Sequence, residues 1–306
     1  MRKFAPHYIT HVAALCGLAV LLACEEPVEL NIDIPKSRLV INSNFYPDEL
    51  VSLRISASRP LGGSFTNVDH AEVTLFEGDS LAERLTFIPS PESAAAGSYR
   101  TTDFRPQVGR RYTIHVAADG YDPVTAVSSI PASIPIRSIA IRGLTQKTEG
   151  TITTYDYALI IDYADPVEEE NYYDLRIYQQ AIAYKVDAKG DTIRQSSYLK
   201  SVGTPSRVSR QGGTVSVLLR DKCEKDAVEV HLQSQLDTSL EIPGEIVAEL
   251  RTVSPEYYHY QRSLMGYDGV QLGLNEPVIL FNNIDQGLGV FAGYNSVRQN
   301  LRLLVK

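Results

Sequence analysis

The sequence has no tryptophan, two methionines and three cysteines among its 306 residues, and it has no excess of basic residues. Its 29 lysines and arginines stand against 37 aspartates and glutamates, which gives a formal net charge of −8. An acidic chain without a basic run lacks the electrostatic footprint of a nucleic-acid-binding protein. The chain also lacks an apolar run of the roughly 20 residues that a membrane-spanning helix needs. We therefore expect no nucleic-acid partner and no spanning helix.

The most informative segment is a short apolar run at residues 13–23, directly before Cys24. Arg2 and Lys3 precede the run, and the small residue Ala23 stands next to the cysteine. A basic N-terminus, a short apolar run and a small residue before the cleavage site are typical of an export signal. A cysteine at the cleavage position further predicts a bacterial lipoprotein, in which Cys24 carries a diacylglycerol thioether and becomes the first mature residue. An ordinary secretory signal followed by a chance cysteine is the alternative.

The lipoprotein interpretation divides the start of the chain into a signal peptide at residues 1–23 and a tether at residues 24–36. Fatty acyl chains such as palmitate would hold the folded part at a membrane through Cys24. We expect an outer-membrane anchor, on the periplasmic or the cell-surface face. Glu25 and Glu26 are similar to the surface-export signal of Bacteroidota lipoproteins. The mature chain keeps 27 basic and 37 acidic residues, so charge alone does not draw it to an anionic lipid surface.

Cys223 is the single cysteine left, because Cys16 leaves with the signal and Cys24 carries the lipid. One thiol forms no internal disulfide, so packing alone must stabilise the fold. Lys222 and Lys225 would favour a reactive thiolate, but the neighbouring acids oppose it. We interpret Cys223 as an incidental thiol.

Alternation of apolar and polar residues with period two runs through nearly the whole mature chain. In the first such segment Leu53 and Ile55 alternate with Arg54 and Ser56, and similar segments cover residues 71–75, 112–116, 124–126, 157–163, 173–177, 182–186, 215–219, 228–232 and 246–250. This pattern is typical of antiparallel strands with one face in a core and one in water. Gly and Asp residues punctuate the segments as turns. The sequence therefore predicts an all-β protein.

Two prolines in the segment at residues 130–135 predict a boundary, since proline interrupts ladder pairing and stiffens a connection. Residues 37–132 have the length and strand number of an immunoglobulin-like β-sandwich. Residues 136–306 are predicted to form a larger antiparallel β domain.

One short helix is predicted within this second region, over residues 255–265. Ser254 is an N-cap residue, Pro255 suits the first helical position and Glu256 suits the first turn. Tyr257, Tyr260 and Leu264 follow at helical spacing, and Gly266 is suited to end the helix. We expect this tyrosine stripe to pack on the second sheet rather than to form a binding site.

No motif in the sequence carries a complete set of catalytic or cofactor-binding residues. Gly287, Gly289 and Gly293 miss the dinucleotide fingerprint by one residue and lack the strand–turn–helix unit that it needs. We interpret them as positions where a last strand passes close to its neighbour. We therefore expect a non-enzymatic protein without a cofactor, with no catalytic or cofactor-binding residue assigned.

The remaining histidines and acids also fall short of a metal site. No two of the four mature histidines have zinc-ligand spacing, and His115 and His231 are predicted to be exposed; the four are His70, His115, His231 and His259. An acidic segment contains Asp162, Asp165, Glu168, Glu169 and Glu170. A solvated strand connection is the favoured interpretation of this segment, and a calcium site is the alternative. We assign no metal ligand.

Several segments together resemble an uncharacterised Bacteroidota lipoprotein family, domain of unknown function 4249. The more specific match lies at the C-terminal end, at residues 254–260, 275–278, 283–284 and 287–293. The N-terminal half is similar at the lipoprotein signal and at residues 39–42, 71–73, 97–99 and 130–131. The family has no assigned activity and no catalytic residues. The resemblance implies a neighbourhood of TonB-dependent transporters and thus an accessory role in uptake.

The sequence as a whole favours a lipid-anchored, non-enzymatic binding or accessory component of a TonB-dependent uptake system, with an unidentified ligand. An envelope hydrolase with a carboxylate site in the second domain is the first alternative. A structural or adhesive surface module is the second.

Overall fold

A computed structural model describes residues 36–58, 66–91, 93–166, 168–200, 202–203, 209–211, 214–221, 227–265 and 280–303. Cys24, Cys223 and Gly266 lie outside the described residues, and so do the signal peptide and most of the tether. The strands and the helix all belong to one unit, which contains residues 37–306.

The described residues form nineteen strands and one helix. In chain order they are β1 (Leu39–Phe45), β2 (Ser52–Ala57), β3 (Thr66–Asn67), β4 (Glu72–Glu77), β5 (Ser80–Arg84), β6 (Thr86–Ser90), β7 (Ser93–Arg100), β8 (Arg111–Ala117), β9 (Val124–Ser129), β10 (Ile136–Glu149), β11 (Ile152–Tyr163), β12 (Tyr172–Val186), β13 (Thr192–Lys200), β14 (Ser209–Gln211), β15 (Thr214–Arg220), β16 (Val228–Asp237), β17 (Glu241–Val253), α1 (Pro255–Met265), β18 (Ile284–Asp285) and β19 (Leu288–Arg302). The predicted all-β class is confirmed, and α1 has the predicted bounds.

The strands form because period-two alternation lets each one bury a single face. In β8, for example, Tyr112, Ile114 and Val116 are buried while His115 is exposed. Such strands make a long sheet in the order β14-β15-β12-β17-β19-β1-β2-β7-β6, with β13 paired to β12 and β3 to β2. Two further sheets have the orders β10-β11-β16 and β18-β9-β8-β4-β5.

The last long strand links the two ends of the chain within the long sheet. β19 pairs in parallel with β1, with Val40 opposite Leu288 and Phe45 opposite Gly293. Farther along, β19 pairs antiparallel with β17. In the described residues every other strand pair is antiparallel.

Two large hydrophobic cores lie on the faces of these sheets. The first contains apolar residues of β1, β2, β4, β8 and β9, together with Ile284 and Phe291 from the C-terminal end. The second lies between the β10-β11-β16 sheet and the β12-β17-β19 part of the long sheet. The predicted boundary at residues 130–135 falls between these cores along the chain, although Phe291 of the last strand belongs to the first core. The division into residues 37–132 and 136–306 stays a prediction.

A smaller cluster forms where α1 covers the opposite face of the long sheet, which we call the outer face. Tyr257 and Tyr258 of α1 are buried there against β12, β17 and β19. The stripe predicted for α1 differs in part, because Tyr260 and Leu264 are only half-buried and Gln261 is buried instead. The Tyr260 hydroxyl contacts Asn42 of β1 at 3.3 Å. Gln261 is covered because it lies one helical turn beyond Tyr257, on the same side of the helix.

Candidate functional site

The outer face carries two polar features, a buried network beneath α1 and an open groove at the far end of the sheet. The network is built by register: Asp174 and Arg176 of β12 lie opposite Arg251 and Glu249 of β17. Glu249 in turn lies opposite Arg298 of β19. Cross-strand neighbours on one face are within reach of each other's side chains, so the strands bring two carboxylates and three guanidinium groups together.

Asp174 is at the centre of the part of the network that α1 covers. Its side chain is fully buried, and its Oδ2 accepts hydrogen bonds from Tyr257 Oη at 2.8 Å and Arg176 Nε at 2.8 Å. Its Oδ1 accepts a further bond from Ser216 Oγ at 2.5 Å. Because a buried charge is costly unless it is paired and hydrogen-bonded, these partners are what allow a carboxylate here.

Glu249 is the second buried carboxylate, with a side chain only 2% exposed. It accepts hydrogen bonds from Arg251 Nη2 at 3.1 Å, Tyr178 Oη at 3.1 Å and Arg298 Nη2 at 3.4 Å. Burial by itself raises the pKa of Glu249, but the positive charges and donated hydrogen bonds outweigh burial, so the pKa is lowered.

The geometry makes this network a support for α1. The pKa of Glu249 is lowered, which is opposite to the raised pKa that a carboxyl needs to act as a general acid at neutral pH. The Arg251 guanidinium lies 4.5 Å from the centre of the Tyr294 ring, and its Nη1 donates to Tyr257 Oη at 3.4 Å. Tyr257 thus links α1 to both β12 and β17.

The groove lies at the other end of the outer face and has a volume of about 610 Å³. Among the described residues that line it, the two charged ones are Arg54 of β2 and Arg100 of β7, both exposed. The other lining residues are Asn67, Ile88, Pro89, Ser90, Pro91, Gly97 and Ser98. A cleft of this size with a few polar groups on an apolar wall has the proportions of a small-molecule site.

The structure also locates the candidate residues considered from the sequence. His115 and His231 are exposed as predicted, His70 is also exposed, and His259 is half-buried. Within the described ranges no group of three His, Cys, Asp or Glu residues is arranged to hold a metal ion.

The acidic segment at residues 162–170 is engaged with neighbouring side chains. Asp162 lies 3.9 Å from Arg137, the Tyr173 hydroxyl donates to Asp165, and Glu170 forms an ion pair with Arg220. These contacts are those of a strand connection, which is the interpretation that the sequence favoured. They do not gather the carboxylates around a shared centre in the part of the chain that the structure describes.

The glycines near the C-terminus mark close backbone approaches. A Cβ at Gly289 would overlap the carbonyl oxygen of Ile41, and a Cβ at Gly293 would overlap that of Ser129. Gly289 also has a φ of +104°, which side chains rarely adopt. The predicted close passage of the last strand is confirmed at these positions.

Sequence reasoning missed the residues that the structure brings together on the outer face. Arg54 and Arg100 occupy the polar phase of ordinary alternating strands, where a solvated arginine is expected. In β12, Asp174 and Arg176 are two residues apart and therefore lie on the same face of the sheet. This spacing was the sequence signal of a charged face. Their partners come from strands more than 70 residues away, so only the register reveals them.

These features define an all-β protein whose long sheet carries a covered polar network and an open, arginine-bearing groove. A family model described as Domain of unknown function (DUF4249) matches residues 25–300, and the chain belongs to this family. No curated protein matches the chain. Among the described residues there is no helix with the length and apolar character to cross a membrane.

Proposed function

We propose that this chain is a non-enzymatic binding protein, anchored to the outer membrane through lipid on Cys24, that acts as an accessory component of a TonB-dependent uptake system. The observation that carries the binding role is the open groove with Arg54 and Arg100 on its wall. The anchor rests on the lipoprotein signal that ends at Cys24. The partnership with a transporter rests on the family resemblance.

The scaffold supports a binding role because the groove residues lie on paired strands. β2 is hydrogen-bonded to β1 on one side and to β7 on the other, and β7 is also paired with β6. Side chains on such strands are held more closely than side chains on loops, so a ligand loses less free energy to ordering the site. The groove is thus preformed in the sheet.

The test is co-purification of the lipidated full chain, tagged at its C-terminus, from envelope membranes in mild detergent. We expect a TonB-dependent transporter to be enriched with the wild-type protein, as identified by mass spectrometry. The control is a Cys24→Ala chain expressed at the same level. A partner that is recovered equally with this unanchored chain has bound after the cells were disrupted. Recovery of the wild-type protein with no transporter or other envelope partner would contradict the proposal.

A further inference from the structure

We infer that the groove binds a small ligand with at least two oxyanion groups, such as phosphates, sulfates or carboxylates, and that Arg54 and Arg100 are its binding residues. This inference deepens the proposed function, on which it rests for the role of the groove.

Arg54 and Arg100 lie close together on the same face of two paired strands. β2 and β7 are antiparallel, with Ser52 opposite Arg100 and Leu53 opposite Tyr99. Arg54 lies two residues from Ser52, so it shares the outer face with Arg100 and is its diagonal neighbour. Diagonal neighbours in an antiparallel pair have Cβ atoms roughly 7–8 Å apart. Two guanidinium groups on stems this far apart are within reach of one ligand of modest size.

The positive charges of Arg54 and Arg100 are not balanced by ion pairs with described acidic residues. Several exposed arginines elsewhere have acidic partners: Arg84 lies 3.0 Å from Glu72 and Arg142 lies 3.3 Å from Glu229. Across the residues that the structure describes, neither Arg54 nor Arg100 has a carboxylate within ion-pair distance. Like charges on neighbouring strand positions are unfavourable. An oxyanion bound between them converts this repulsion into two attractive contacts.

The described wall of the groove combines apolar side chains with neutral polar groups. Ile88 and Pro89 of β6 give it an apolar side, and Asn67 and Ser98 provide amide and hydroxyl groups. None of the described lining residues carries a negative charge. The planar guanidinium fork of arginine matches phosphate and carboxylate groups with two parallel hydrogen bonds. The wall therefore favours an acidic ligand over a cationic one.

The experiment is calorimetric titration of the lipidated full chain in mild detergent and low salt, with sodium tripolyphosphate as one probe and citrate as the other. We expect at least one probe to bind and its affinity to fall roughly tenfold or more in the Arg54→Gln/Arg100→Gln chain, because two charge-assisted contacts are lost. Raising the ionic strength should weaken binding as well. Comparison of the two probes separates a phosphate ligand from a carboxylate ligand.

Two further variants make the result specific. Arg111→Gln removes an exposed strand arginine outside the groove and should leave the affinity unchanged. The Arg54→Lys/Arg100→Lys chain keeps the charges without the guanidinium forks and should lose less affinity than the glutamine pair. Thermal unfolding of each variant confirms that the fold is retained.

The inference is overturned if neither probe binds at millimolar concentration, or if the glutamine pair binds as tightly as the wild type. Either result would leave co-purification with a transporter unaffected. Conversely, loss of the transporter partner in the co-purification test would leave probe binding in place, so the two failures are distinguishable.

Discussion

At the scale of single residues, Gly289 is the described glycine that leaves the least room for a side chain. Its φ of +104° and its closeness to the backbone of Ile41 both exclude a side chain, because β19 lies beside β1 in the same sheet with Gly289 opposite Ile41. The sequence predicted a close passage from the glycine spacing. It did not predict which strand is approached, since the partner lies about 250 residues earlier in the chain.

We predict that Gly289→Ala lowers the free energy of unfolding by about 3 kcal/mol or more, because backbone strain and steric overlap each cost roughly 1–3 kcal/mol. The matched control is Gly78→Ala, where φ is +57° and nothing lies within 4 Å of the added Cβ. Only the strain of the left-handed backbone applies there, about 1–2 kcal/mol. Urea unfolding followed by far-UV circular dichroism measures both. Equal losses in the two variants would contradict the close approach.

Glu249 gives a prediction for pH, since its pKa is lowered in the folded protein from an ordinary value of 4.5. A lowered pKa means that the ionised group stabilises the fold fully above the unfolded-state pKa and loses this contribution as pH falls through the folded-state pKa. Glu249→Gln should therefore cost about 3–5 kcal/mol at pH 7, where it leaves Arg251 and Arg298 without their carboxylate. The difference between the two chains should shrink below about pH 4.5.

Urea unfolding at a series of pH values measures this difference. The control is Glu245→Gln, which removes a carboxylate 36% exposed and 3.7 Å from Arg302. Its effect should stay within about 0.5 kcal/mol at every pH, because solvent screens such pairs. A Glu249→Gln difference that is independent of pH would show that the ionised form is not what stabilises the fold.

At the scale of elements, α1 shows what local sequence determines and what it does not. Its start follows from Ser254, Pro255 and Glu256, which are local cap and first-turn signals, and this start was predicted. Which side it buries was predicted only in part, because that side is set by the charged rows of β12 and β17 beneath it. Individual strands were likewise predictable from alternation, whereas their order in the sheet was not.

The cap of α1 is testable through Ser254, whose Oγ accepts a hydrogen bond from Tyr257 N at 3.3 Å. Ser254→Ala should lower the free energy of unfolding by about 1 kcal/mol, as is usual for loss of an N-cap. Ser80→Ala, at an exposed position of β5, should change it by less than about 0.5 kcal/mol. Urea unfolding of the two variants makes the comparison. A loss at Ser254 no larger than that at Ser80 would mean that the cap contributes nothing.

At the scale of the whole molecule, β19 determines how the two large cores are connected. Phe291 of this strand packs in the first core, while Val297 and Leu301 pack against the second. Alternation and turn chemistry revealed the all-β class, but they carry no information about a parallel pairing between the first and last long strands. The candidate groove was equally invisible, because Arg54 and Arg100 meet only through the register of β2 and β7.

This shared strand predicts that the two cores unfold together. Hydrogen exchange measured by mass spectrometry across a urea titration should show peptides from β2 and β12 losing protection at the same urea concentration. Gly289→Ala should lower that concentration for both peptides. Two separate transitions would instead support independent domains at residues 37–132 and 136–306.

The central claim is that lipid on Cys24 holds this β-sheet protein at the outer membrane, and fatty-acid labelling tests it most directly. Cells expressing the wild-type or the Cys24→Ala chain are fed an alkyne-tagged palmitate, and the purified proteins and membrane fractions are compared. The account predicts label on the wild-type protein and sedimentation with outer membranes, with both lost in Cys24→Ala. Equal labelling and equal membrane association of the two chains would contradict it.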